Sequence, residues 1–297
     1  MYRIMVPATT ANLGAGFDCF GLALRTYNTV EFETASAGLH IEVTGMKGIP
    51  TDERNMLYGA IQQTLGTLGI KMPGLRIRQQ NDIPTTKGLG SSAACRVAGI
   101  MAANIIAKEV LSKDEMINLA TEMEGHPDNV TPAILGGFTI ACCERNGVTH
   151  LKTITQQRLK CAVFIPPFSL QTKKARFVLP DRVSRRDAVD NISRASIFAV
   201  ALATGHYEHL RAGVQDVLHQ PYRKQFIPLF DAVAEKAYSL GARAVFISGA
   251  GPATAALIDG NYEAFAQGMH AFFEEKSSGW QVKILDICQQ GAHFTQL

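Results

Sequence analysis

The chain has 297 residues, 46% of them hydrophobic and 19% charged, which is enough apolar material for one large or two modest packed domains. Its net charge is +3, and the densest basic segment, 182–186, is interrupted by Val183 and Ser184, which disfavours a nucleic-acid partner. No apolar run approaches the roughly 18–20 residues that span a membrane, and the first residues lack a signal-peptide pattern, so we expect a cytoplasmic protein.

The first half of the chain alternates β-branched segments with amphipathic ones. Their periodicity predicts strands at 3–6, 29–34, 39–43 and 75–78, and helices at 55–68, 93–106 and 113–123. Ser112, with Glu115 three residues later, marks the start of the last of these helices as a capping box. A hairpin is predicted from 136–143 to 148–154, with its turn at Asn146-Gly147.

The second half predicts a strand at 161–165, then helices at 187–204, 207–212 and 228–240. Strands at 244–247 and 253–258, a helix at 262–273 and a strand at 281–286 complete the pattern. Hairpins mixed with helices favour an α+β fold, and we expect two domains, 1–158 and 159–297. The six cysteines lie mostly in apolar segments and should be buried thiols rather than zinc ligands or disulfides.

A glycine- and serine-rich loop, Pro84-Thr-Thr-Lys-Gly-Leu-Gly-Ser-Ser-Ala-Ala94, leads into the helix at 93–106. Gly88 and Gly90 allow close backbone approach to a ligand, and the N–H groups at a helix start favour an anion such as phosphate. A dinucleotide fingerprint would follow a buried strand directly, and the Walker A spacing is absent. On spacing alone, a phosphate loop and an ordinary glycine-rich helix start are equally good interpretations.

Three other segments combine glycines with polar side chains. They are Pro7 to Gly21, with Asn12 and Asp18; Glu124-Gly-His-Pro-Asp-Asn-Val130; and Ser248-Gly-Ala-Gly-Pro-Ala-Thr254. Taken singly, each also fits a tight turn, a helix N-cap or a plain hairpin. Their order along the chain resembles that of the GHMP kinase superfamily, whose three motifs match Pro7 to Gly21, Pro84 to Ala94 and Ser248 to Thr254.

Within that superfamily, Asn12-Leu-Gly-Ala-Gly-Phe-Asp18 lacks the lysine of mevalonate-type members and is similar to the branch that phosphorylates homoserine. The segments 124–130, 167–180 and 216–223 resemble the same branch. The resemblance covers essentially the whole chain. It implies a two-domain fold, with an N-terminal half like ribosomal protein S5 domain 2 and a ferredoxin-like C-terminal half, and ATP-dependent formation of O-phospho-L-homoserine.

The resemblance also implies the site. ATP would lie on the loop of Pro84, Thr85, Thr86, Lys87, Gly88, Leu89, Gly90, Ser91, Ser92, Ala93 and Ala94. Magnesium would be held by Ser92 and Glu124, which offer the hard oxygen ligands that it prefers. L-Homoserine would contact Asn12, Asp18, His126, Thr172, Arg176 and Arg223. Arginines suit its carboxylate and an aspartate its ammonium group.

The catalytic pair implied by the resemblance is Asn129 and Asp128. Asp128 has the position of a base in other GHMP kinases, whereas we favour Asn129 as the group that orients the hydroxyl, with a phosphate oxygen taking the proton. A GHMP kinase acting on another small alcohol and a catalytically silent relative are the alternatives. A homodimer is expected from the family, and neither nucleic acid nor membrane is expected as a partner.

Overall fold

Alternating apolar residues build a long antiparallel pair of strands at the start of the chain. In the computed structural model, which describes residues 1–46, 48–156 and 158–297, β1 (Tyr2–Ala11) pairs with β2 (Phe20–Ala35). They join β3 (Leu39–Gly45), β4 (Gly74–Asn81), β5 (Phe138–Glu144), β6 (Gly147–Thr153) and β11 (His293–Gln296) in one sheet. Its main order is β11-β1-β2-β4-β3, and β5 pairs with β2 and β6, which confirms the predicted hairpin.

The helices of the N-terminal half cover one face of this sheet. They are α1 (Met56–Thr67), α2 (Ser91–Ile106), α3 (Lys113–Glu124) and α4 (Val130–Leu135). Small residues let α2 pack closely against both β1 and α1, and most of its length is buried. Helix α3 starts with the predicted capping box and ends at Gly125, whose φ of +89° turns the chain towards 126–129.

The C-terminal half forms a second, four-stranded sheet. Its elements are β7 (Lys160–Ile165), α5 (Thr172–Phe177), α6 (Arg185–Thr204), α7 (Leu210–Gly213), α8 (Gln220–Arg223), α9 (Phe230–Ser239), β8 (Ala244–Ile247), β9 (Thr254–Ile258), α10 (Tyr262–Glu275) and β10 (Gln281–Asp286). The strand order β10-β7-β9-β8, with every pair antiparallel, is the ferredoxin-like arrangement. The predicted α+β fold is confirmed.

The two halves share a core and a strand. Side chains of β7 alternate between a core shared with the first sheet, reached by Val163, and a second core under α9 and α10, reached by Phe164. Strand β11 returns to pair with β1, so the chain end belongs to the first sheet. Division into domains 1–158 and 159–297 stays a prediction. Within the described residues, no helix combines the length and apolar character that a membrane crossing requires.

The cysteines only partly match the prediction of buried thiols. Cys95, Cys161 and Cys288 are buried, whereas Cys19, Cys142 and Cys143 are exposed. All six are free thiols. The exposed ones lie at the ends of strands, where the apolar neighbours in the sequence do not determine the burial of the residue itself.

Candidate active site

A cleft of about 150 Å³ is lined by side chains from both halves of the chain and gathers most of the predicted site residues. From the N-terminal half come Asn12, Asp18, Pro84, Thr86, Gly88, Leu89, Gly90, Ser91, Ser92, Glu124, His126, Asp128 and Asn129. From the C-terminal half come Thr172, Arg176 and Arg223, together with Gly249 and Ala250. Residues more than 200 positions apart in sequence therefore meet in one place.

The glycine loop places a helix N-terminus at this cleft. Gly90 has φ +69°, in the left-handed region, and is the N-cap of α2, so Ser91 and Ser92 are its first two helical residues. Gly88 has φ +81°, and a Cβ there would lie 2.1 Å from the carbonyl oxygen of Ser248. The first N–H groups of a helix have no partner within it, and they bind anions well.

The third glycine segment, 248–254, fixes the loop from the other side. The Ser248 hydroxyl donates to the Gly88 carbonyl oxygen at 2.6 Å, and Ala253 N–H donates to the Lys87 carbonyl oxygen at 3.0 Å. Since Ser248 uses its proton on Gly88, the Thr10 hydroxyl donates to Ser248 at 2.8 Å. One hydrogen-bonded chain therefore links β1, the 248–254 turn and the loop.

Four of the predicted loop residues lie outside the lining of the cleft. Ala93 and Ala94 are fully buried in the core, and Thr85 precedes the lining residue Thr86. The Lys87 ammonium donates to the carbonyl oxygens of Pro166 at 2.9 Å and Phe168 at 2.5 Å. Burial lowers the pKa of Lys87. Its side chain therefore ties the loop to the segment before α5.

Ser92 and Glu124 meet at the open end of the loop. The Ser92 hydroxyl donates to Glu124 Oε2 at 2.9 Å, and the Arg96 guanidinium lies 2.8 Å from the same oxygen. Ser92 is in the first turn of α2 and Glu124 is the last residue of α3, so the packing of the two helices sets their distance. A hydroxyl and a carboxylate side by side are hard oxygen donors that suit magnesium.

Asp18 and Arg176 form a bidentate ion pair across the cleft. The two guanidinium–carboxylate distances are 2.6 and 2.9 Å, and the hydrogen bond to Asp18 raises the pKa of Arg176. Asn12 holds the neighbouring backbone, because its Oδ1 accepts from Asp18 N–H and its Nδ2 donates to the Gly249 carbonyl oxygen. Arg176, which was expected to bind the substrate carboxylate, and Asp18, which was expected to bind the substrate ammonium group, are therefore paired with each other.

Arg223 is a buried cation beside the same cleft, with 1% of its surface exposed. Its Nε donates to the Ala175 carbonyl oxygen at 3.2 Å, and its NH1 group lies 3.2 Å from the Gly249 carbonyl oxygen and from His219 Nδ1. Burial and the charge of Arg176 lower its pKa to about 10, so it stays protonated at neutral pH. A buried guanidinium held only by neutral groups strongly favours an anion from the cleft.

Asn129 lies between the loop and the charged groups. The Thr9 hydroxyl donates to Asn129 Oδ1 at 2.7 Å, and Asn129 Nδ2 donates to Asp128 Oδ1 at 3.2 Å. His126 Nδ1 lies 2.5 Å from the same Asp128 oxygen. Burial lowers the pKa of His126, but the hydrogen bond and charge of Asp128 raise it by more, so the net shift is upward.

Comparisons with known proteins agree with this geometry. The GHMP kinases N terminal domain model matches residues 55–137, and the GHMP kinases C terminal model matches residues 198–275. A curated homoserine kinase of Caldicellulosiruptor saccharolyticus is 47% identical over 98% of this chain and 96% of its own. The chain belongs to the homoserine kinase family of GHMP kinases.

Other members of the homoserine kinase family match over the same length. The homoserine kinase of Petrotoga mobilis is 41% identical, with 98% of this chain and 95% of its own covered. The crystal structure of homoserine kinase from Cytophaga hutchinsonii superposes with a TM-score of 0.89 at 30% identity, covering 99% of this chain and 96% of its own. The mevalonate kinase of L. major, 17% identical with a TM-score of 0.74 over 97% and 96% of the two chains, shares the fold.

Several residues that line the cleft of this family member or contact its lining were not found from the sequence. Thr9 and Arg96 contact predicted site residues, yet one lies in a strand pattern and the other in a helix pattern. His219 belongs to the 216–223 segment, but only the fold shows its contact with Arg223. Gly249 was noted only as part of a turn, and the two carbonyl contacts it makes with Asn12 and Arg223 reveal its role.

Proposed function

We propose that this chain transfers the γ-phosphoryl group of ATP to the side-chain hydroxyl of L-homoserine, releasing O-phospho-L-homoserine and ADP, a step of threonine biosynthesis. One observation carries the proposal: a glycine loop at a helix N-terminus shares a cleft with two guanidinium groups and a carboxylate. The loop suits a polyphosphate, and the charged groups suit a zwitterionic amino acid. Relatives named homoserine kinase support the substrate.

The charged side chains divide the recognition of the amino acid. Arg223, buried and without an ion pair to any described carboxylate, would receive the substrate carboxylate, with Arg176 completing the clamp. Asp18 would bind the ammonium group, exchanging part of its pairing with Arg176 for the new cation. Asn12, His126 and Thr172 line the cleft around that position. Charge-assisted bonds of this kind contribute about 1.5–3 kcal/mol each.

Asn129 would orient the reacting hydroxyl. The Asn129 amide nitrogen has two N–H donors, of which one is on Asp128, and the reacting hydroxyl oxygen would accept from the other. That oxygen attacks the γ-phosphorus as the bond to the ADP oxygen breaks, and the hydroxyl proton goes to a phosphate oxygen. A loose transition state requires little early deprotonation, so Asp128 is not required as a base.

Ser92 and Glu124 would hold a magnesium ion together with the ATP phosphates. Their oxygens lie 2.9 Å apart at the start of α2, and both are hard donors of the kind that Mg²⁺ accepts. When bound, the ion neutralises phosphate charge. The Arg96 guanidinium, 2.8 Å from Glu124 Oε2, would keep that carboxylate directed to the loop. The loop itself would hold the phosphates through its backbone N–H groups.

The proposal also covers the domain division and the oligomeric state of the chain. We assign residues 1–158 to the ATP-binding domain and 159–297 to the domain that completes the substrate site, with β11 returning to the first sheet. We also propose a cytoplasmic homodimer. Size-exclusion chromatography with light scattering tests the dimer, since a monomer mass at working concentration contradicts it.

A coupled assay of ADP release tests the activity. We expect turnover with L-homoserine and at least about 100-fold lower kcat/KM with L-serine, L-threonine, mevalonate and galactose, which lack part of the recognised pattern. ADP from mevalonate alone would overturn the substrate, and ADP from none of the five would overturn the enzyme proposal. Asp18→Asn is the matched variant, because it should weaken homoserine binding and leave ATP binding unchanged.

A further inference from the structure

Arg223 is held by neutral acceptors only. Among the described residues no carboxylate pairs with it, and its polar contacts are the carbonyl oxygens of Ala175 and Gly249 and the Nδ1 atom of His219. His219 is 0% exposed and lies one helical turn before Arg223, at the start of α8. A buried imidazole therefore contacts the buried guanidinium.

The hydrogen-bond partners of His219 determine which of its two ring nitrogens carries the proton. A guanidinium has donors only, so His219 Nδ1 must accept and carries no proton. The proton is on Nε2, which donates to the Gly14 carbonyl oxygen at 2.9 Å. Burial lowers the pKa of His219, in agreement with a neutral ring.

The surroundings hold the ring in one orientation. Asp216 accepts from the backbone N–H groups of Leu218, His219 and Gln220 at 2.6–3.0 Å, which fixes the start of α8. The ring of Phe17 stacks on His219 with centroids 5.1 Å apart. The Arg223 guanidinium lies 5.0 Å from the centroid of the same Phe17 ring.

We propose that His219 is a positioning residue for substrate recognition: its neutral Nδ1 holds Arg223 so that the rest of the guanidinium faces the substrate carboxylate. This inference rests on the proposed function, because it deepens the assignment of Arg223. The carbonyl oxygens of Ala175 and Gly249 hold Nε and one N–H of NH1, and His219 Nδ1 holds the other N–H of NH1. With three of its five donors held in this way, the guanidinium presents NH2 to the substrate carboxylate in one orientation.

Two substitutions test the roles of the two ring nitrogens of His219 separately. Asparagine places an oxygen where Nδ1 lies and keeps the acceptor for Arg223, but it does not reach Gly14. Glutamine places its amide nitrogen where Nε2 lies and keeps the Gly14 contact, but it loses the acceptor for Arg223. We expect His219→Gln to raise the KM for L-homoserine about tenfold, as loss of one hydrogen bond to a charged group does, and His219→Asn to change it by less than about threefold.

The KM for ATP should be unchanged in both variants, and thermal denaturation should show them to be folded. Equal increases in the KM for L-homoserine, or a larger increase in the asparagine variant, would overturn the positioning role. Absence of wild-type turnover with L-homoserine would instead overturn the proposed function, so the two failures are distinct.

Nitrogen-15 NMR of the histidines in the wild-type protein gives a second measurement that needs no variant to fold. We expect His219 to be protonated on Nε2 and unprotonated on Nδ1 across neutral pH. A protonated Nδ1 would contradict the inference, since it cannot accept a hydrogen bond from Arg223.

Discussion

The two sides of the cleft differ in the chemical groups that they present: backbone and hydroxyl groups on one side, and charged side chains on the other. The side proposed to bind the nucleotide, here the nucleotide side, consists of the backbone of 86–92, two serine hydroxyls and a helix N-terminus, and Lys87 in this loop directs its ammonium to Pro166 and Phe168. The side proposed to bind the amino acid, here the amino-acid side, consists of Asp18, Arg176 and Arg223, whose charges come from three separate segments. Under the proposed function, binding of phosphate would depend on main-chain shape, whereas the choice of acceptor would depend on a few charged side chains.

The largest effect should come from Arg223→Met. Removing a buried cation that receives the substrate carboxylate costs about 2–5 kcal/mol, so kcat/KM for L-homoserine should fall about 1000-fold. The KM for ATP should stay within about twofold of wild type, because the loop does not contact Arg223. Steady-state kinetics with each substrate varied in turn measures both values.

Arg223→Lys serves as the control for charge without planar geometry. The lysine keeps a cation but has no fork to bond Ala175, Gly249 and the substrate together, so a large part of the loss should remain. A comparable increase in the KM for ATP in either variant would contradict the separation of the cleft into two sides.

The second-largest effect, on kcat, should come from Asn129, which lies between the two sides of the cleft. Asn129→Ala should lower kcat about 100-fold, because it removes a donor aimed at the reacting oxygen, while both KM values change little. Asp128→Asn should keep measurable turnover, since an amide still accepts from Asn129 and His126. The reverse order of kcat values would identify Asp128 as the base.

A smaller effect, confined to the nucleotide side, is expected from Gly88→Ala. A Cβ at φ +81° and 2.1 Å from the Ser248 carbonyl oxygen forces the loop to move, at a cost of about 1–3 kcal/mol, and the KM for ATP should rise about tenfold or more. Gly260→Ala is the matched control, because a Cβ there has open space around it. An unchanged KM for ATP in Gly88→Ala would show that the loop conformation does not set nucleotide affinity.

The sequence predicted the local features of this cleft well. Glycines that require positive φ, a helix start after them and the capping box of α3 are encoded within a few residues, and the structure contains all of them. Strand β11 was not predicted, because its pairing partner β1 lies almost the whole chain away. The strand therefore depends on tertiary contacts rather than on its own short pattern.

The positions of charged side chains were harder to predict. A pattern of residues identifies Arg176 and Asp18 as members of one site, but their direct pairing depends on how α5 packs against the loop after β1. Lys87 shows the same limit, since the ammonium of a long side chain can reach either the cleft or the Pro166 carbonyl oxygen. Thr9 carries no signal, because a threonine in a strand is ordinary.

The smallest effect should be a pH dependence on the amino-acid side. The folded-state pKa of His126 lies above its ordinary value of 6.5, so protonation of His126 stabilises the fold fully below that pH, and the contribution is lost as pH rises through the raised pKa. His126→Asn removes this titration. Its deficit in free energy of unfolding relative to wild type should therefore be larger at about pH 5.5 than at about pH 8.5 by denaturant titration. A deficit for His126→Asn that grows with pH would contradict the role of Asp128 as its partner.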